Sequence, residues 1–138
     1  MLNLQIKNIH WQDTLPVRHK VLWPDKDIRF CQIDGDEDAK HYAVYIDNKP
    51  VSVASLFIEQ DSIQLRKFAT LQAYQGKGIG THLLQHTIKE SKSMGARRFW
   101  CDARKNSKDF YSRFGMHIEG EAFIKYGRPY YKMVINLN

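Results

Sequence analysis

Three glycines fall on alternate residues in the run Gln75-Gly76-Lys77-Gly78-Ile79-Gly80-Thr81. The run lies between a β-rich segment, Ile63–Thr70, and a segment whose apolar residues recur at helical spacing. The chain must therefore pass from strand to helix through backbone that carries few β-carbons. The first turn of a helix has unpaired N–H groups and the positive end of the helix dipole. With no side chains in the way, such donors can wrap a phosphate or pyrophosphate, and Lys77 adds a mobile positive charge. The spacing is neither the Gly-x-x-x-x-Gly-Lys-Ser/Thr of a Walker loop nor the Gly-x-Gly-x-x-Gly of a dinucleotide fold. Read from the glycines alone, an anion loop and a flexible turn with a close helix–strand contact stand about level.

The surrounding pattern extends the strand–helix reading. Leu2, Leu4 and Ile6 alternate with polar residues as in a strand, and a short helix opening at Asp13 stops at Trp23-Pro24. Asp25–Lys40 is acidic and lacks periodicity, and is read as a solvated loop around a short strand at Ile28–Ile33. Strands at His41–Ile46 and Val51–Ile58 join through a hairpin at Asp47–Pro50, and Ile63–Thr70 completes a meander. Ile79, Leu83, Leu84 and Ile88 share one face of a helix that Gly95 ends. Next come a strand at Arg97–Ala103, a short helix at Ser107–Phe114, and strands at Met116–Ala122 and Tyr130–Leu137. This order argues an α+β, three-layer fold, one mixed sheet covered by helices, in a single domain spanning 1–138.

Composition narrows the function classes. The 138 residues are 43% hydrophobic and 26% charged, within the globular range, and no apolar run is long enough to span a membrane. Cys31 and Cys101 form no ligand spacing, so neither a disulfide framework nor a metal site is expected, and a reducing cytoplasm is the default location. The net charge of +6 is uneven: residues 1–59 hold 7 Lys/Arg against 9 Asp/Glu, and residues 60–138 hold 14 against 6. A basic half suits an anionic partner. Nucleic acid is one such partner, through Arg97-Arg98 and Arg104-Lys105 beside aromatics, but no helix-turn-helix, RNP or zinc-finger pattern supports it.

Gln75-x-x-Gly78-x-Gly80 resembles the Arg/Gln-x-x-Gly-x-Gly/Ala signature of the GNAT superfamily, the acyl-CoA-dependent N-acetyltransferases. Leu65–Thr70 looks like that family's fourth strand. Asp109-Phe110-Tyr111-Ser112-Arg113-Phe114-Gly115-Met116 is similar to its Phe-Tyr-x-x-x-Gly-Phe segment, with Met116 replacing the usual Phe. The resemblance implies a mostly antiparallel sheet whose parallel fourth and fifth strands splay apart, with helices on both faces. It further implies an acetyl-CoA donor and direct attack by a primary amine in a ternary complex, the acceptor being a small molecule or peptide. A homodimer is a common assembly in the family.

Carried over residue by residue, the resemblance assigns Phe68, Ala69 and Thr70 to pantetheine, and Gln75, Gly76, Lys77, Gly78, Ile79, Gly80 and Thr81 to the pyrophosphate. Asn106 matches a pantetheine-bonding asparagine, with an N-cap role as the alternative. Tyr111 matches the general acid, with aromatic packing beside Phe110 and Phe114 as the alternative. The fourth strand carries no glutamate to serve as base. His41 and Asp102 are candidates by position and His82 is a third, each with a plain structural reading beside it. Cys101 reads as a buried thiol rather than a nucleophile. Tyr126, Tyr130 and Tyr131 read either as an acceptor pocket or as sheet surface. A non-catalytic acyl-CoA sensor is the alternative to an enzyme.

Overall fold

A computed structural model describes residues 3–137. Its strands are β1 (Leu4–Ile9), β2 (Lys40–Ile46), β3 (Lys49–Glu59), β4 (Ser62–Thr70), β5 (Arg98–Arg104), β6 (His117–Ile118), β7 (Phe123–Lys125) and β8 (Arg128–Asn136). Its α-helices are α1 (Leu15–Leu22), α2 (Ile79–Ser93) and α3 (Lys108–Ser112). The strands form one sheet in the order β1-β2-β3-β4-β5-β8-β6, with β7 also paired to β8. All pairings are antiparallel except β4 with β5. The mixed sheet with one parallel pair is the architecture expected above. Leu2, expected in the first strand, lies outside the described residues.

β3 crosses the middle of the sheet, and Val51 through Leu56 are all buried, so both faces are covered. Successive strand residues point to opposite faces. Ser55 meets Arg18 of α1, whereas Ala54 pairs with Tyr42, whose ring packs on His86 of α2. The two helices therefore cover opposite faces. α2 contributes Ile79, Leu83 and Leu84 to the core, all at most 1% exposed.

Three expectations change. Ile28–Cys31 forms a 3-10 turn instead of a strand, because the Asp27 carboxylate accepts from the Arg29 backbone N–H at 2.9 Å and closes the chain locally. The expected strand Met116–Ala122 is paired only at His117–Ile118. Gly120 turns the backbone away at φ +81, and β7 then enters a hairpin whose turn, Tyr126-Gly127, has φ +53 and +71. The acidic loop is not wholly solvated, since Asp36 is completely buried.

Asp36 is buried because it meets Arg18, itself 0% exposed, in a fork-on-fork pair of 2.9 and 3.0 Å. The same guanidinium donates to the Cys31 carbonyl and to Ser55 Oγ, and Asp36 accepts from the Ile33 N–H. Burial pushes the Asp36 carboxyl up, but Arg18 and the Ile33 N–H outweigh it and hold the group below its ordinary value.

Candidate functional site

β4 and β5 pair over three positions only, Ser62–Arg98, Ile63–Phe99 and Gln64–Trp100, and then diverge. Where they separate, β4 carries a bulge. Val53 opposes Ala69 and Ser55 opposes Arg66, so Lys67 and Phe68 together face the single residue Ala54. Lys67 sits at φ +52, a left-handed conformation uncommon for a side-chain-bearing residue. A bulge leaves an extra residue outside the ladder and re-aims the side chains beyond it. Leu65 lies beside Leu56, which faces α2, whereas Ala69 lies beside Val53, which faces α1. The bulge thus reverses the strand's facing, and Phe68 and Thr70 turn towards the start of α2.

At the end of β4 the chain enters the glycine loop. The Gln75 side-chain amide donates to the Thr70 carbonyl at 2.9 Å and ties the loop to the strand. Gly76 and Gly78 have φ +75 and +80, and a β-carbon at either would meet open space, so backbone conformation requires glycine there. Gly80 differs: a β-carbon would come 3.3 Å from Phe68 Cζ and 3.6 Å from Thr70 Oγ1, so its bareness lets α2 approach β4. Gly78 is the N-cap of α2, no side chain caps the helix, and its first turn holds no acidic residue. The first N–H groups of the helix therefore have no side-chain cap.

The diverging strands, the glycine loop and α3 enclose an open cleft of about 1200 Å³. Phe68, Ala69, Thr70, Gln75, Gly76, Gly78, Ile79, Gly80, Thr81, Asp102, Asn106 and Tyr111 all line it. Lys77 and His82 are exposed outside its lining, and Tyr131, half-buried on β8, is outside it too. Asn106 lies in the 3-10 turn Lys105–Ser107, and Ser107 occupies the N-cap of α3.

The candidate proton-transfer groups are placed differently. Tyr111 comes from α3 and is half-buried against Phe110, with ring centroids 5.2 Å apart. Burial, and then the neighbouring Cys101, holds its phenol well above the ordinary value, so it stays protonated. Burial, with Asp102 nearby, pushes the Cys101 thiol up to about 12, which removes it as a nucleophile at neutral pH. Asp102 faces the cleft but accepts from Lys125 Nζ at 3.3 Å.

His41 is not brought to the cleft. It lies on the α1 face of β2, with Nε2 2.8 Å from the Asp36 carbonyl and Nδ1 2.7 Å from Ser55 Oγ. A carbonyl can only accept, so Nε2 carries the proton and Nδ1 accepts from the serine. Burial is the main force that lowers its pKa, and Arg18 adds to the effect. The imidazole is a neutral structural link.

The residues missed in the sequence are cationic and aromatic. Arg66, Lys67, Arg104, Arg113, Lys125 and Arg128 line the cleft with Asp102 as its sole carboxylate among the described residues. Trp23, expected as a helix stop, also lines it, with Tyr126 5.6 Å away edge-on. Of these cations the sequence singles out Arg104 alone, as a basic residue beside aromatics, and the charge excess of residues 60–138 marks the others only collectively.

A sheet opened between two parallel strands, with a glycine-lined and uncapped helix start at the opening, makes an elongated cleft with an anion-compatible end. The model of the acetyltransferase (GNAT) family matches residues 3–116, and the chain belongs to that family. The chain is 32% identical over 129 residues to the uncharacterized N-acetyltransferase YitI of Bacillus subtilis, covering 87% of each. Its fold matches a solved structure from Lactobacillus plantarum at a TM-score of 0.87 and 16% identity, covering 98% and 99% of the two chains. It also matches a Bacillus subtilis acetyltransferase solved in complex with CoA, at 0.76 and 17% identity, over the full length of both.

Proposed function

We propose that the chain is an N-acetyltransferase that moves an acetyl group from acetyl-CoA to a primary amine. The observation that carries this reading is the gap between β4 and β5, closed at one end by the uncapped start of α2. The open space at Gly76 and Gly78 suits a pyrophosphate. Backbone N–H groups of Ile79, Gly80 and Thr81 would bind it, with the loop from Gln75 shaping the cradle. The main chain of Phe68, Ala69 and Thr70 would lie along the pantetheine, with Asn106 across the gap.

When bound, acetyl-CoA supplies an activated thioester. A backbone N–H of β4 at the bulge, where the ladder with β3 is interrupted, would stabilise the negative charge that develops on the thioester oxygen. The cleft holds the amine against the carbonyl, and this positioning supplies much of the acceleration. The C–N bond forms as the C–S bond breaks. Tyr111, protonated at every working pH, gives its proton to the departing sulfur and recovers one from solvent. Because Asp102 is paired with Lys125, water in the open cleft takes the proton that the amine loses.

The test is a CoA-release assay with a thiol-reactive readout, run over amines, amino acids and peptides. Release that needs both acetyl-CoA and an amine is the expected result. Tight acetyl-CoA binding with no release for any acceptor would overturn transfer in favour of a sensor. Oligonucleotide binding at physiological salt that acetyl-CoA fails to displace would favour a nucleic-acid module.

A further inference from the structure

A small recess of about 80 Å³ branches from the cleft at its α1 side. Leu22, Trp23, Lys67 and Tyr126 line both spaces, so the recess opens where β4 bulges. Whole-ligand pockets run to roughly 300–1,000 Å³. A space this small takes one functional group of a molecule that extends into the cleft.

The lining gives the chemistry of that group. Trp23 stands between Phe30 and Tyr126, at 5.2 and 5.6 Å edge-on, and forms an aromatic collar. Phe30 and Tyr126 are 50% and 58% exposed, a large apolar surface to leave bare. Lys67 reaches into the collar, with Nζ 5.9 Å from the Tyr126 ring. No carboxylate lines the recess. The two acidic groups nearby are already paired, Asp36 with Arg18 and Asp102 with Lys125. Among the described residues Lys67 has no ion-pair partner.

A second observation comes from Arg18, which lines the same recess. Its Nε is the sole buried side-chain nitrogen or oxygen among the described residues without a hydrogen-bond partner, although the two terminal nitrogens make four bonds. A buried donor left unmatched in a fully buried side chain is costly. An acceptor atom in the recess would answer the unpaired ammonium, beside a guanidinium that is itself one acceptor short.

We propose that the recess binds a carboxylate carried by the acceptor amine, so that the substrates are aminocarboxylates with an apolar or aromatic group. The inference rests on the transferase reading above and assigns Lys67 as a specificity-determining residue. Burial first, and then Arg66, Lys125 and Arg18, lower the Lys67 pKa, and an arriving anion relieves that unfavourable setting. A free amino acid and the acidic residue or C-terminus of a peptide would present the same group.

Two measurements test this, and the first needs no turnover. Calorimetric titration compares 3-phenylpropionate with its neutral amide, 3-phenylpropanamide, on the CoA-saturated protein. The carboxylate is expected to bind at least about tenfold more tightly, the scale of one charge-assisted hydrogen bond. Lys67→Met, unbranched and so equally able to hold φ +52, should erase the difference, and Lys67→Arg should keep it. Equal binding of the two probes, or a difference that survives Lys67→Met, overturns the proposal even if acetyl transfer is real.

The second measurement compares kcat/KM for matched amines: phenylalanine against phenethylamine, 4-aminobutyrate against butylamine, and an acidic peptide against its amidated form. Preference for the carboxylate member should again be about tenfold and vanish in Lys67→Met. Which pair shows it distinguishes the free acid from the peptide. Retained turnover in Lys67→Arg, which cannot serve as a base, separates anion recognition from proton abstraction. Loss of all turnover in Lys67→Arg would mark Lys67 as the proton acceptor and overturn its assignment as a specificity residue.

Discussion

Two charged regions of this protein lie on either side of β4 and are built on opposite principles. Around Arg18, a guanidinium, a carboxylate, a serine and an imidazole are sealed from water and bonded to one another almost completely. In the cleft, six cations meet one carboxylate, and the helix start faces open space with no cap. A charge that holds a fold must be paired inside the chain, because an unpaired buried charge is too costly. A charge meant for a ligand must be left without a partner until the ligand arrives. The contrast separates fold from function in a sequence where both regions look simply polar.

Arg18→Met strands the Asp36 carboxylate in the core, and urea unfolding should register a loss of about 3–5 kcal/mol. Arg66→Met, on the α1 face over Phe57, should cost less than about 1 kcal/mol in the same experiment. Equal losses would erase the distinction.

Tyr111→Phe should do the reverse. It removes one hydroxyl at the cleft, lowering kcat by about 10²–10⁴ while acetyl-CoA affinity and thermal midpoint stay near the parent's. A parent-like kcat would leave Tyr111 as packing against Phe110 and Phe114.

The glycine loop offers a finer test. Gly78→Ala forces a β-carbon into a left-handed conformation, at about 1–2 kcal/mol, and should weaken acetyl-CoA binding by calorimetry. Lys77→Ala, one residue away but outside the cleft lining, should change stability by no more than about 0.5 kcal/mol.

Between pH 7.5 and 5, acid should act on the fold chiefly through the sealed region. The fold keeps His41 neutral, with its pKa below the ordinary 6.5, so the unfolded chain binds more protons once the pH drops to that range. Stability is therefore full above about 6.5 and falls as pH is lowered towards the folded value. Thermal midpoints measured from pH 7.5 to 5 should decline, and His41→Asn, less stable throughout, should flatten the slope.

Much of the cleft could be read from the sequence because its makers are local. Gln75, Gly78 and Gly80 are set by spacing within one loop, and the strand and helix around them have clear periods. The sealed region could not be read, because it joins Arg18, Asp36, His41 and Ser55 across distant segments. An acidic stretch gives no sign of which carboxylate has an arginine waiting for it. His41 looked like a base for the same reason: position on a strand does not say which face is buried under what. The bulge at Lys67 was equally silent, since the usual mark of a positive φ is glycine and here it is lysine. The turn at Ile28–Cys31 escaped because four residues with apolar Ile28, Phe30 and Cys31 around Arg29 are as compatible with a strand as with a helical turn.

The three-position pairing of β4 with β5 also has a mechanical meaning. Among the described residues it is the only backbone ladder joining the leaf β1–β4 to the leaf β5–β8, so the sheet is two stiff leaves on a short seam. A molecule laid along the gap acts as a splint, supplying the rungs that the diverging strands lack. Those amide hydrogens of Leu65–Thr70 and Cys101–Arg104 that face the gap should then exchange faster in the free protein than those of β2 and β3, and slow together on CoA binding while the latter barely change.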